Sequence, residues 1–179
     1  MSISETSIVN MALAKIGSKR INDLDTDSSI NAIHGRTHYD QTRDSLMRSH
    51  YWRFASARAS LSEDTESPDF EWENQFILPT DFLRLKSVYS STNVPFENTR
   101  FAFAMEGNRL LTNEGSIDIR YIKRVTDVSK FDPLFVEVLV LNLALKFVGP
   151  MAGGDPKLQD KLQLEIRLIM PAVRALDRQ

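Results

Sequence analysis

Two histidines, His34 and His38, stand four residues apart in a segment with the apolar pattern of a helix. This spacing places both imidazoles on one helical face, where two such rings are able to share a metal ion. A catalytic zinc site needs a third ligand, and the helical zinc motif carries a glutamate directly after its first histidine. Gly35 stands at that position here. We therefore interpret the pair as ordinary surface or interface histidines and expect no metal site.

Six carboxylates crowd into the eleven residues from 63 to 73. They are Glu63, Asp64, Glu66, Asp69, Glu71 and Glu73. Paired carboxylates hydrolyse glycosidic bonds when one of them is desolvated, and acidic loops bind calcium when their ligands are suitably spaced. This run lacks the calcium-loop spacing, and Pro68 together with its polarity predicts an exposed loop. Its charge is suited to repelling DNA or to meeting a basic partner.

Other catalytic and cofactor-binding patterns are missing from the sequence. Cysteine is absent, which excludes disulfides, thiolate metal sites and cysteine nucleophiles. The segment at 153–156 (GGDP) precedes a helix, but it lacks the lysine and hydroxyl residue of a phosphate-binding loop. No Gly-x-Ser-x-Gly nucleophile elbow occurs. We expect neither an enzyme nor a bound cofactor.

The charge balance argues against a basic nucleic-acid binder, because the 179 residues carry a net charge of −2. The balance conceals an acidic middle, since residues 61–119 hold 11 acidic and 4 basic side chains. Tyr51, Trp52 and Phe54 offer aromatic faces on which bases could stack. The arginines around them recur every five residues and so do not share a helical face. We interpret the three aromatics as an anchor in the core or at an interface.

Two helices are predicted at the start of the chain. The first covers residues 3–16, with a capping box of Ser2 and Glu5 and with Gly17 at its end. The second covers residues 28–50 and is capped by Asp27 or Ser28. The residues expected on the inner face of the second helix are Ile30, Ile33, Thr37, Tyr39, Leu46 and Met47.

The middle of the chain has the pattern of short strands. Strands are predicted over 75–78, 82–89, 96–105, 109–112 and 117–122, with turns between the later ones. Residues 55–61 are ambiguous between strand and coil. The strands are expected to form a mostly antiparallel meander.

Two further helices end the sequence, each announced by an Asp-Pro pair, Asp132-Pro133 and Asp155-Pro156. Residues 134–148 contain twelve apolar residues of fifteen, which predicts a helix enclosed by other elements of the chain or by neighbouring subunits. The run is too short for a membrane span of roughly 20 residues. The last helix is expected to kink at Pro171. Its apolar stripe comprises Leu158, Leu162, Ile166, Ile169, Val173 and Leu176.

The predicted fold class is therefore α+β, a helical bundle of N- and C-terminal helices with an inserted small antiparallel β-sheet. The helical body is assigned to residues 1–60 and 127–179, and the β-rich portion with its acidic loop to residues 61–126. The whole is interpreted as one domain. No membrane segment is expected, and the N-terminus lacks the basic and apolar regions of a signal peptide.

A series of segments resembles, in matching order, the head-to-tail adaptors of short-tailed phages, the family of tail tubular protein A and gatekeeper-like connectors. The segments are IVNMALAKIG at 8–17, INDL at 21–24, HYDQTRD at 38–44, YWRFA at 51–55, LPTDFLRL at 78–85, IRYI at 119–122, VTD at 125–127 and FDPLF at 131–135. Single segments such as Leu-Pro-x-Asp are weak signals, whereas their ordered succession covers nearly the whole chain.

The resemblance implies a structural protein of the virion neck, made in the host cytoplasm. It implies a ring of copies, dodecameric in this family, that docks under the portal protein and passes genomic DNA through its lumen without reading its sequence. A further tail protein docks on the far side. The residues expected at interfaces are Leu158, Leu162, Ile166 and Ile169 of the last helix, with Tyr51, Trp52 and Phe54.

Two other functions stay open from the sequence. A tail-associated peptidoglycan hydrolase would need a desolvated carboxylate in a cleft, and a small DNA-binding protein would need a basic patch. The acidic middle of the chain likewise has two interpretations. It either lines the lumen and keeps the passage from adhering to DNA, or it faces outward as a docking or solubilising surface.

Overall fold

The structure, a computed structural model, describes residues 3–90 and 102–177. It contains two compact units, which we call the helical unit (Met1–Phe54 with Val125–Gln179) and the β unit (Ala55–Arg124). Both ends of the chain thus build the helical unit, and the β unit is inserted between them. This confirms the α+β class with N- and C-terminal helices. The first junction precedes the one assigned from sequence because residues 56–60 form a strand of the β unit.

Helix α1 spans Glu5–Lys15 and is capped by Ser4. The Ser7 N–H donates to the Ser4 hydroxyl (3.1 Å), and the Ser4 N–H donates to the Ser7 hydroxyl (2.8 Å), so two of the free N–H groups at the helix start are bonded. The prediction of a Ser2–Glu5 capping box was wrong, and Ser2 itself lies outside the described residues. The Ser7 hydroxyl, at the third helical position, accepts the N-cap hydrogen bond that was predicted for Glu5.

A buried asparagine ties α1 to the loop that follows it. The Asn10 side-chain amide donates to the Ile21 carbonyl (2.9 Å), and the Ile21 N–H donates to Asn10 Oδ1 (2.8 Å). The Leu24 N–H donates to the Thr6 hydroxyl (3.0 Å). Ile21 and Leu24 are thereby held in the core although the loop around them is polar.

Helix α2 spans Ile30–Ser49 with Ser29 as its N-cap. Its predicted inner face was partly wrong, because Ile30 and Ile33 are 68% and 48% exposed and Thr37 is exposed as well. The residues that are buried are Ala32, Gly35, Tyr39, Thr42, Arg43, Leu46 and Met47. Gly35 is the reason for this rotation, since its missing side chain leaves room for Leu24 and Val9 to approach the helix.

Helix α3 (Pro133–Met151) is the centre of the helical unit and packs against α1, α2 and the last helix, α4 (Pro156–Leu176). The Asp-Pro starts are confirmed, since Asp132 and Asp155 accept hydrogen bonds at the two N-caps. Among the described residues α3 is the one helix long and apolar enough to cross a membrane. Ten of its residues are buried in this chain, so we assign its apolarity to the core.

Two antiparallel sheets make up the β unit, where the sequence predicted one meander. The first sheet has the order β1-β7-β4 and the second the order β2-β3-β6-β5. The strands are β1 (Ser56–Ser60), β2 (Ser62–Glu63), β3 (Asn74–Ile77), β4 (Phe82–Tyr89), β5 (Phe103–Glu106), β6 (Arg109–Thr112) and β7 (Asp118–Lys123). The predicted strand 96–105 lies partly outside the described residues, and β5 contains its described end.

The two sheets share one core. Phe76 and Leu110 from the second sheet cluster with Val88, Ile119 and Tyr121 from the first, and all five are at most 5% exposed. The alternation of side chains along β7 turns Ile119 and Tyr121 inward, which turns Asp118 and Arg120 to the opposite face. The outer face of the first sheet is therefore polar around Asp118 and Arg120, whereas Ile122, on the same side of β7, is fully buried.

We predict that Gly35→Ala destabilises the helical unit. An alanine Cβ would lie 2.8 Å from Leu24 Cδ1 and 3.1 Å from Val9 Cγ1, so the buried Leu24 side chain would have to shift and Val9 of α1 would have to give way by a few tenths of an ångström. We expect a loss of about 1–3 kcal/mol in the free energy of unfolding, measured by urea denaturation.

The matched control is Gly115→Ala in the loop before β7, where a Cβ meets nothing within 4 Å. Because alanine leaves the unfolded chain fewer conformations than glycine does, this variant should be neutral or more stable by up to about 1 kcal/mol. Equal losses in both variants would contradict the close-approach argument.

Candidate interaction surface

Helix α4 presents two different faces. Leu162 and Val173 are each 1% exposed and fix its inner face, while Ile166 and Ile169 are half-buried. Leu164 and Leu168 lie on the opposite face and are 56% and 70% exposed. The outer pair was not predicted from the sequence, although the four-residue spacing of Leu164 and Leu168 is typical of neighbours on one helical face.

The outer leucines lie in a basic setting. Lys157, Lys161 and Arg167 are exposed and lie on the same side of α4 by helical periodicity, and the exposed carboxylate of Asp160 lies among them, so the cations predominate by three to one. Two exposed leucines one turn apart with a cationic rim are the features of a helix that docks into an apolar groove. We call this patch, Leu164 and Leu168 with those three cations, the outer face of α4.

Of the four α4 residues expected at an interface, Leu162 has no surface to offer because it is buried within its own chain. Leu158 and Ile169 are half-buried. Ile166 lines a groove of about 460 Å³ between α2, α3 and α4, where Gln41 and Lys146 supply polar groups. The inner stripe therefore serves mainly to hold α4 on the helical unit.

The end of α4 is fastened by one carboxylate. Asp177 Oδ2 lies 2.9 Å from His50 Nε2, and the Arg53 N–H donates to Asp177 Oδ1 (3.2 Å). The side chains of His50 and Asp177 are only 10% and 7% exposed. Near the middle of the helix, Lys15 and Glu165 form an exposed ion pair at 3.0 Å, which contributes little in solvent.

The aromatic anchor predicted at residues 51–54 is a core feature. Trp52 is fully buried, its indole N–H donates to the Leu46 carbonyl (3.0 Å), and its ring meets the edge of Phe135 at 5.1 Å. Phe54 contacts Phe131 and Phe135. Tyr51 and Phe54 are half-buried. Of the three aromatics, Trp52 is thus unable to contact a partner unless the core opens.

The two histidines of α2 stack on each other, with ring centroids 6.3 Å apart. His38 also contacts Phe147, and burial, His34 and Lys146 lower the pKa of His38. Within residues 3–90 and 102–177 no group of three or more acidic or histidine side chains is placed to hold a metal ion. A stack of two rings against a phenylalanine is a packing arrangement.

The acidic run at 63–73 is largely exposed loop, with only β2 in regular structure. Asp64 is the exception to its exposure, since Arg109 Nε donates to Asp64 Oδ2 (2.6 Å). This bond lowers the pKa of Asp64. Glycoside hydrolysis requires a desolvated carboxylic acid, whereas these carboxylates are exposed or, at Asp64, paired with an arginine.

The chain matches no known protein-family model and no curated protein.

We predict that Asp177→Ala loosens the end of α4, because it leaves His50 and the Arg53 N–H without their partner. The loss should be about 1–3 kcal/mol. Hydrogen exchange should accelerate in the last turns of α4, around Val173. The control is Asp160→Ala on the same helix, where the carboxylate is exposed. Equal exchange in the two variants would contradict the fastening role.

We also predict a pH dependence that originates at His38. Because its pKa is lower folded than unfolded, the unfolded chain binds the extra proton, and stability falls as the pH drops below about 6.5. His38→Gln should flatten this slope between about pH 7 and pH 5.5 in urea titrations. His34→Gln should keep most of it, and an unchanged slope in His38→Gln would refute the assignment.

Proposed function

We propose that this chain is a structural head-to-tail connector of a phage virion. Its copies form a ring beneath the portal protein, genomic DNA passes through the lumen, and the next tail component docks on the far side. The chain acts by binding and shape, without catalysis.

The observation that carries the proposal is the ordered succession of segments that resemble the adaptor family over nearly the whole chain. Several of these segments also contact one another. The Asn10 side chain of the first segment makes two hydrogen bonds to Ile21 of the second. Such contacts give the segments a role in the fold, and the assignment to the adaptor family rests on their resemblance.

Two further pairs of these segments are also in contact. Tyr121 of the IRYI segment donates its hydroxyl to Asp81 of the LPTDFLRL segment (3.0 Å), and burial with this bond raises the pKa of Tyr121 to about 12. Trp52 and Phe54 of the YWRFA segment pack on Phe135 of the FDPLF segment. Each pair joins residues that are at least 40 positions apart in sequence.

The outer face of α4 is the surface that we assign to the portal. This face exposes two leucines, and its cationic rim suits an acidic groove on a partner. Only two side chains of α4 are fully buried in its own chain. Docking of one helix per copy, repeated around a ring, adds many weak contacts into a stable joint.

The experiment mixes the purified chain with its portal and images the product by electron microscopy. A ring of density beneath the portal supports the proposal. Portals that stay bare at saturating concentrations of the chain contradict it. A turbidity assay on purified peptidoglycan tests the alternative hydrolase in the same preparation.

We predict that Leu164→Asp with Leu168→Asp abolishes portal binding and leaves the fold intact, because both side chains are already exposed. The matched comparison is Leu162→Asp, two residues before Leu164 and on the opposite, buried face, which should unfold the helical unit. Circular dichroism separates the two effects. A folded double variant that binds the portal normally would remove the assignment of this surface.

A further inference from the structure

Two arginines on the outer face of the first sheet lie directly opposite each other. Arg58 of β1 and Arg120 of β7 are register partners in an antiparallel pair. Like charges at such positions repel and destabilise the pairing. Neither arginine forms an ion pair within the described part of the chain. An anion bound between the two guanidinium groups would offset this repulsion and so stabilise the pairing of β1 with β7.

These arginines line a cleft of about 430 Å³ with an aromatic wall. The Arg120 guanidinium lies over the ring of Tyr89, 5.4 Å from its centroid, and the Ser87 hydroxyl donates to the Tyr89 hydroxyl (3.3 Å). Asp118 is the one carboxylate among the described lining residues, which leaves the cleft with a net charge of +1. We call Arg58, Arg120 and Tyr89 the socket.

The same unit carries a segment of complementary character. Phe70 is 79% exposed, more than any other large apolar side chain in the described residues, and it stands between Asp69 and Glu71. Glu71 has a φ of 71°, a left-handed conformation that a residue other than glycine adopts at a cost in strain. Neither carboxylate forms an ion pair in the described part of the chain. We call Asp69-Phe70-Glu71 the plug.

We propose that the socket binds the plug of a second copy of this chain. The two carboxylates meet the two guanidinium groups in charge-assisted hydrogen bonds, and the phenyl ring of Phe70 packs against Tyr89 and Arg120. The socket and the cleft beside the plug share no lining residue, so each copy presents both surfaces at once.

A contact between two different surfaces of the same chain is heterologous, and its repetition either closes a ring or extends a filament. The inference therefore rests on the proposed connector function, for which it supplies the contact between neighbouring subunits. It also assigns the tip of the acidic segment to the joint between subunits and away from the lumen.

The test uses two variants of the full chain in buffers of low ionic strength, where exposed charge pairs are least screened. The socket variant is Arg58→Glu with Arg120→Glu, and the plug variant is Asp69→Ser with Phe70→Ser. Sedimentation equilibrium up to millimolar concentration measures self-association. We expect association of the wild type to weaken about tenfold or more in each variant alone.

Mixing the two variants is the decisive arm. The socket variant keeps its plug and the plug variant keeps its socket, so one complementary contact remains between them. The mixture should form a one-to-one heterodimer and no larger species, with an affinity near that of the wild-type contact. A mixture that stays monomeric, or a wild type that never associates, would overturn the proposal.

A charge-matched control separates the contact from net charge. Lys19→Glu with Arg20→Glu changes the charge equally at exposed positions of the helical unit, and it should associate like the wild type. Equal loss of association in this control would overturn the proposal. A short DNA duplex is added in a parallel arm. If it binds through Arg58 and Arg120 while the chain stays monomeric, the socket is a phosphate site and the proposal fails.

Portal binding distinguishes the failure of this contact from the failure of the connector function. Complete rings of the socket variant on portals would overturn the plug-and-socket contact and leave the connector function standing. Association that requires both surfaces, without any binding to the portal, would support the contact and refute the connector.

Discussion

The burial of one apolar helix is the constraint on which the rest of the structure depends. Helix α3 buries ten residues, and each large apolar side chain removed from water contributes about 1.5–3 kcal/mol. A helix that is apolar nearly all round needs neighbours on every side, and α1, α2 and α4 supply them. Because α1 and α2 come from the start of the chain and α4 from its end, both termini are recruited to the same core.

The position of the β unit follows from this arrangement. Once the chain ends are committed to α3, the intervening residues 55–124 form a separate core between two small sheets. The backbone groups of the strands largely hydrogen-bond to one another within the sheets, so the side chains on the outer faces are available for binding. The β unit carries opposed arginines on one sheet and carboxylates in the loop beside the other.

Helix α4 is held more lightly than α3, by two fully buried side chains, an exposed ion pair and the Asp177 contacts. A lightly held outer helix with exposed leucines suits a protein that docks by one face. The polar and strained features of the chain, the opposed arginines and the left-handed Glu71, are likewise features that intermolecular contacts explain better than folding does.

The sequence by itself determined what depends on neighbouring residues. The Asp-Pro starts of α3 and α4 and the strand Phe82–Tyr89 follow from local capping and alternation, and they were predicted correctly. Only the tertiary structure decided the rotation of α2, which the approach of Leu24 to Gly35 sets, and the burial of Trp52 and Leu162. It also decided the opposition of Arg58 and Arg120, because strand register joins residues 62 positions apart. Local patterns record which residues are apolar or turn-forming, but not which distant residues share a face.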